Sequence, residues 1–235
     1  SGSVAMNGWT YGGTATSPVP TSATNGTSSV TYVYYTNSSC TTKTSTSDGA
    51  TTAGGKPTYA GTYYVKATFA STSNYNAVSA TKAFTIAKKE VTIKSITSNS
   101  KVYDGLTSGT GTITLQGGVN NETPTAKGTF TFADKHVGTG KTVNITGIAL
   151  NSAYTRNYVL NTTSSSIETG VITKATLTVT YAGETITYGT SPSLTLTVTG
   201  FKNGETATTA SGYTAPTITA TSKNAGTYTV TPTGG

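Results

Sequence analysis

The chain reads as an all-β protein, an elongated tandem array of small β-sandwich domains, and three observations carry that reading. Apolar and polar side chains alternate with a period of two. In Tyr63 to Phe69, for example, Tyr63, Val65, Ala67 and Phe69 share one face while Tyr64, Lys66 and Thr68 take the other. The composition suits strands and turns: about one residue in four is Thr, 15 are Tyr and 27 are Gly, while only 10% are charged. A set of landmarks then recurs along the 235 residues, which marks a repeat. With only 34% of residues hydrophobic, several thin cores fit better than one thick one.

Three units follow in order: 4–87, 88–173 and 174–235. The first carries Trp9-Thr10-Tyr11-Gly12-Gly13, a proline-bearing turn at Ser17 to Pro20, and an aromatic strand over Val30 to Thr36. Asn37 to Pro57 is long, polar and rich in Ser, Thr and Gly, which predicts a loop or weak hairpin. The strand around Tyr63 to Phe69 and a last strand, Lys82 to Ile93, close the unit. Ala87 to Glu90 holds neither Gly nor Pro, so this last strand is expected to pass unbroken into the second unit.

The second unit opens with Val102-Tyr103-Asp104-Gly105, where Asp-Gly signals a turn and Asp104 is expected to cap its own backbone. Strands are expected at 111–116, 128–133 and 141–150, with a final one ending at Thr173. The third unit alternates Leu177, Val179 and Tyr181 with Thr, repeats Tyr188-Gly189, and has a further strand over Ser193 to Thr199. Tyr11, Tyr103 and Tyr188 head the three units, and Gly61, Gly138 and Gly226 each lead a Gly-Thr into a strand. Asn-Tyr recurs at Tyr75 and Tyr158, and a terminal Ile at Ile86 and Ile172, an interval of 86 residues that suits a seven-strand sandwich. The third unit lacks its Asn-Tyr and last strand, and reads as truncated.

The formal net charge is +7, but the fourteen Lys and the single Arg156 are scattered, without the basic stripe interleaved with aromatics that nucleic acid demands. No nucleic-acid partner is expected. Cys40 stands alone, which excludes an internal disulfide and a C-x-x-C metal motif. An array without disulfides points to a bacterial rather than a secreted eukaryotic protein. No apolar run reaches the length of a membrane span, so no insertion is expected within the chain. Ser1-Gly2-Ser3 reads as a cloning remnant and the whole as an excised fragment.

Catalytic chemistry finds no motif, and no catalytic residue, cofactor or metal is expected. The eight carboxylates (Asp48, Glu90, Asp104, Glu122, Asp134, Glu168, Glu184, Glu205) read as turn and surface acids, with no pairing motif of the kind a glycosidase uses. His136 is the only His, so a multi-His zinc site is excluded. Glu90 and Glu168 alone flank the unit junctions, too few acids for junctional calcium. Five Asn-x-Ser/Thr sequons (Asn25, Asn37, Asn121, Asn144, Asn161) are what so Thr-rich a chain yields by chance. Lys66, Lys82 or Lys94 could on residue type alone join an Asn in a covalent cross-link. The aromatics Trp9, Tyr32, Tyr34 and Tyr35 are the candidate binding residues, because a row of exposed rings on a sandwich face can stack on sugars. The competing role for them is cross-strand packing.

Residues 4–87, through AGTYYVKATFASTSNYNAVSATKAFTI, resemble a bacterial immunoglobulin-like domain of group 3. Residues 95–172 resemble the YDG domain, through KVYDGLTSGTGTITLQG, TFTFADKHVGTGKTV and AYTRNYVL. Residues 175–235 are similar to the MBG domain, through ITYGTSPSLTLTVTGFKNGE and NAGTYTV. The resemblance implies immunoglobulin-like sandwiches in a long bacterial surface or secreted protein, acting as stalks, spacers or adhesive modules. It carries over no catalytic set. The expectation is a non-enzymatic, monomeric, semi-rigid stalk in which near-continuous strands across Ile86–Val91 and Ile172–Leu177 leave little linker slack. The alternative is an adhesin module that binds a glycan or a host extracellular-matrix protein.

Overall fold

The computed structural model describes residues 1–220 and 224–235. It is all-β: seventeen strands and two short 3-10 turns occur among the described residues. The chain packs into two compact units. The first combines Ser1–Thr97, Thr112–Thr129 and Ile145–Ser165; the second combines Ser98–Gly111, Phe130–Asn144 and Ser166–Gly235.

In the first unit a four-stranded sheet runs in the order Trp9–Thr10, Val78–Ala87, Gly61–Phe69, Val30–Tyr35. Gly61–Phe69 is its spine, antiparallel to both neighbours, with Tyr63 opposite Phe84 and Val65 opposite Tyr34. The alternation in the sequence becomes burial: Tyr63, Val65, Ala67 and Phe69 are all buried, as are Phe84 and Ile86 on the next strand. Gly2–Ala5 pairs antiparallel with Val19–Ser22, so Gly2 and Ser3, which read as a remnant, are part of a strand.

The polar stretch 37–57 is a loop, as expected, with one 3-10 turn and a single antiparallel bridge from Lys43 to Tyr35, and it packs closely on the sheet. Thr44 is fully buried and donates its hydroxyl to the carbonyl of Gly55 at 2.6 Å. Backbone bonds from Tyr34 to Gly54 and from Gly54 to Thr44 lace the segment to the edge strand. Its 3-10 turn, Thr46–Asp48, delivers Asp48 into a half-dry position where its carboxylate accepts the Ser45 N–H at 3.1 Å. A Thr and an Asp with backbone donors and acceptors close by satisfy themselves locally, which is how so polar a segment can be buried.

The expected unbroken strand over Lys82 to Ile93 is broken into pieces that change partner. Val78–Ala87 ends in the four-stranded sheet, and Lys89–Glu90 then pairs in parallel with Tyr158–Val159. Thr92–Ser98 pairs instead with Gly111–Gln116. Bonds from Lys89 N to Asn157 O (2.8 Å) and Val91 N to Val159 O (3.0 Å) satisfy the backbone through the switch. Strand propensity cannot show which partner a strand takes, so this change was invisible in the sequence. One apolar cluster spans the switch, from Val4, Phe69 and Ile86 to Val91, Leu150 and Tyr158.

A five-stranded sheet has the order Ser108–Gly109, Ala126–Phe132, Gly138–Leu150, Ser164–Thr173, Lys101–Val102. In the second unit it buries Phe130, Phe132, Val143 and Ile172. The strand ending at Thr173 stops there, and Thr178–Thr180 starts a new pair with Thr197–Thr199. Only these last three residues of the expected strand Ser193 to Thr199 are strand. Thr217 and Thr233 exchange backbone bonds at 2.8 Å in an isolated bridge.

Candidate functional site

The candidate binding aromatics do not form an exposed row. Tyr34 and Tyr35 are 6% and 9% exposed and belong to the core, because the edge strand is covered by the folded-back segment 43–54. Tyr32 is half-buried against the core cluster. Trp9 is half-buried too, stacked on Phe84 with centroids 5.5 Å apart, and Lys56 lies 5.4 Å from its ring centre. These rings serve sheet packing.

The residues that the fold does bring together form the same arrangement twice, once within each compact unit. In the first unit Trp9–Thr10 lies parallel to Ile86–Ala87, and Tyr11 N donates to Ala87 O at 2.8 Å. The chain then turns, with Gly13 N bonded to Thr10 O and Gly12 at φ +74°. This turn meets a second one, Gly117 to Glu122, in which Gly117, Asn120 and Asn121 all have positive φ and Glu122 N bonds to Val119 O. A Cβ at Gly12 would lie 2.3 Å from Val119 Cγ2, so only glycine lets the two turns touch. Tyr11 Oη donates to Glu122 Oε2 at 3.1 Å, and Tyr158 Oη donates to the same oxygen at 2.6 Å. The two rings meet edge to face at 5.5 Å. Burial, with the hydrogen bond to Glu122 behind it, pushes the Tyr158 phenol up to about 12.

The second unit repeats the device. Lys101–Val102 lies parallel to Ile172–Thr173, and Tyr103 N donates to Thr173 O at 2.8 Å. The opposing turn is Gly200 to Glu205, with Gly200, Asn203 and Gly204 at positive φ and Glu205 N bonded to Lys202 O. A Cβ at Gly105 would lie 2.4 Å from Asn203 Cβ. Tyr103 Oη donates to Glu205 Oε1 at 2.6 Å, and Lys135 Nζ binds the same oxygen at 2.8 Å. Hydrogen bonds from Lys135 and then Tyr103 hold the Glu205 carboxyl below the usual range. The first clasp thus holds its carboxylate with two phenols and the second with a phenol and an ammonium.

A lateral contact braces the first clasp. Arg156 donates through Nη2 to Asp48 Oδ1 at 3.0 Å and to Tyr63 Oη at 3.3 Å, and through Nη1 to the Ser47 carbonyl. Its guanidinium lies 5.1 Å from the centre of the Tyr59 ring. Next to it, Asn157 Oδ1 accepts the Ala60 N–H at 3.0 Å. The single Arg therefore has a specific place, and Asp48 and Glu122 are not the surface acids they read as.

Other candidates take local roles. Asp104 accepts the Leu106 N–H at 2.9 Å, the turn-capping role expected of it, and also pairs with Lys101. His136 is exposed, and its N–H donates to Asp134. The side chains of Lys66, Lys82 and Lys94 make no hydrogen bond or ion pair among the described residues, so nothing there positions a cross-link. No group of three or more His, Cys, Asp or Glu able to hold a metal occurs among the described residues. No helix there is long and apolar enough to cross a membrane.

The sequence signal for the clasps is a shared pattern, Gly-x-x-Asn-x-Glu, in Gly117-Gly-Val-Asn-Asn-Glu122 and Gly200-Phe-Lys-Asn-Gly-Glu205. No curated protein and no solved structure matches the chain. Two family models do: residues 87–166 match the YDG domain, and residues 177–235 match the MBG domain of the YGX type.

Proposed function

We propose that this chain is a non-catalytic spacer of a bacterial cell-surface or secreted protein, in which successive β-domains are locked at their junctions so that the array resists bending. Residues 4–87, on this reading, are a further immunoglobulin-like domain of the bacterial group-3 kind. The observation that carries the proposal is the repeated clasp: a Tyr hydroxyl from one repeat bound to the Glu of a Gly-x-x-Asn-x-Glu turn in the next. Domains of the two matched kinds are generally found in surface or repeat-containing proteins, which supports a structural role. Binding energy spent at a junction restricts the angles that two domains sample, and a tether gains reach when its joints are stiff.

Small-angle X-ray scattering tests the reading. A stiff spacer gives an extended profile fitted by one conformer, and Glu122→Ala with Glu205→Ala broadens it to an ensemble. A compact globule, or wide flexing in the unmodified chain, overturns it.

A further inference from the structure

The third repeat carries the same Tyr-Gly turn, and among the described residues nothing docks on it. Thr190 N bonds to Thr187 O at 3.0 Å, as Gly13 N bonds to Thr10 O, and Gly189 has φ +90° where Gly12 has +74°. Tyr188 thus sits in the position of Tyr11, on a turn already formed. Yet Tyr188 is 78% exposed, while Tyr11 is buried. A Cβ at Gly189 would find nothing within 4 Å, whereas one at Gly12 would strike Val119. A large exposed aromatic beside a glycine kept bare of neighbours is the surface that the other two repeats fill with a turn from the next domain.

We propose that Tyr188–Gly189 is the docking half of a third clasp, and that its occupant is the Gly-x-x-Asn-x-Glu turn of a further β-domain of this repeat type. The occupant is specified by what fills the same place twice in this chain. Its turn must put two consecutive residues at positive φ, as Asn120-Asn121 and Asn203-Gly204 do, so that the Glu carboxylate points at the phenol. The Tyr188 hydroxyl then donates to that carboxylate, a charge-assisted bond. This inference rests on reading the clasps as couplers of successive domains.

The two clasped repeats also supply the design of the test. Gly226-Thr227-Tyr228 corresponds to Gly61-Thr62-Tyr63, so a second copy of residues 71 onward can follow Gly235 in register. Nitration by tetranitromethane, read by peptide mass spectrometry, reports the accessibility of Tyr188, with buried Tyr11 and Tyr158 of the original chain as controls for folding. Four proteins are compared: the chain itself, the chain extended by a copy of residues 71–87, the chain extended by a copy of 71–166, and the last with Glu122→Ala in the added copy. Nitration of Tyr188 should be fast in the first two, slow by about tenfold in the third, and fast again in the fourth.

Equal reactivity in the first and third proteins overturns the proposal. So does protection complete with the strand alone, or protection unchanged by loss of the Glu. Thermal melting gives an independent reading: Tyr188→Ala should leave the unextended chain unchanged and lower the melting temperature of the chain extended by 71–166. No shift in the extended protein counts against the proposal. If Glu122→Ala and Glu205→Ala loosen the original chain while Tyr188 is never shielded, the third clasp fails and the coupling role of the first two stands.

Discussion

Tyr158 and Glu122 lie 2.6 Å apart, phenol to carboxylate, within the YDG-matched stretch, and Tyr11 from outside that stretch reaches the same oxygen. One carboxylate therefore ties two parts of the chain 111 residues apart in sequence. Because both phenols share an oxygen, their contributions are coupled. Tyr158→Phe should cost about 1.5–3 kcal/mol, the range for hydrogen bonds to charged groups. The double variant with Tyr11→Phe should cost less than the sum of the singles once both donors to Glu122 are gone. Denaturant melts of the four proteins check the non-additivity.

The same phenol sets an alkaline limit. Burial and the hydrogen bond to Glu122 push the Tyr158 phenol up to about 12 in the folded protein, from an ordinary value near 10. Its folded value is raised, so its stabilising contribution is complete below pH 10 and is lost as pH climbs towards 12. Unfolding free energy measured between those limits should fall with pH more steeply in the unmodified protein than in Tyr158→Phe.

At the second clasp the signs oppose. Glu205 is held below its ordinary value by Lys135 and Tyr103, so its contribution is present above the usual carboxylate range and fades as pH falls through the depressed value. Lys135 is raised by Glu205 and Tyr103, so its contribution is present at neutral pH and fades only in strong alkali. Carbon-detected NMR titration of the Glu205 carboxyl should give a midpoint below that of Glu205 in Lys135→Met.

Glycine at the first turn should be irreplaceable for two reasons, its φ of +74° and the 2.3 Å approach to Val119. Gly12→Ala should destabilise by about 1–3 kcal/mol through strain and displacement. Gly189→Ala meets no neighbour, so only the backbone term of about 1 kcal/mol applies. Parallel thermal melts separate the two.

Arg156 binds Asp48 with one nitrogen and the Ser47 carbonyl with the other. Lysine keeps the charge but not the fork, so Arg156→Lys should lose about 1 kcal/mol, moderated because the guanidinium is partly exposed. Denaturant unfolding against Asp48→Asn measures the shared part.

The sequence disclosed what depends on period and turn chemistry. Tyr63 to Phe69 announced its buried face by alternation, and Tyr11, Tyr103 and Ile172 announced the repeat. What depends on long-range pairing stayed hidden. Nothing local tells Lys89 to leave the strand of Ala87 and join Tyr158, or tells Thr44 that it will be buried beside Gly55. Tyr34 could be read either as a binding ring or as cross-strand packing, because the segment that covers it is polar. Glu122 and Glu205 read as surface acids because a carboxylate shows its value only beside its donors. The shared Gly-x-x-Asn-x-Glu pattern was nonetheless available to a reader comparing the turns.

The most direct test of the clasps is the distance distribution across the first of them. Spin labels at Ser73→Cys and Ser164→Cys, in a Cys40→Ser background, place one probe on each side, at exposed positions. Double electron–electron resonance should return one narrow distance, broadened several-fold by Tyr11→Phe with Glu122→Ala. A distribution that is broad from the start, or one that stays narrow when the clasp is removed, would contradict the account.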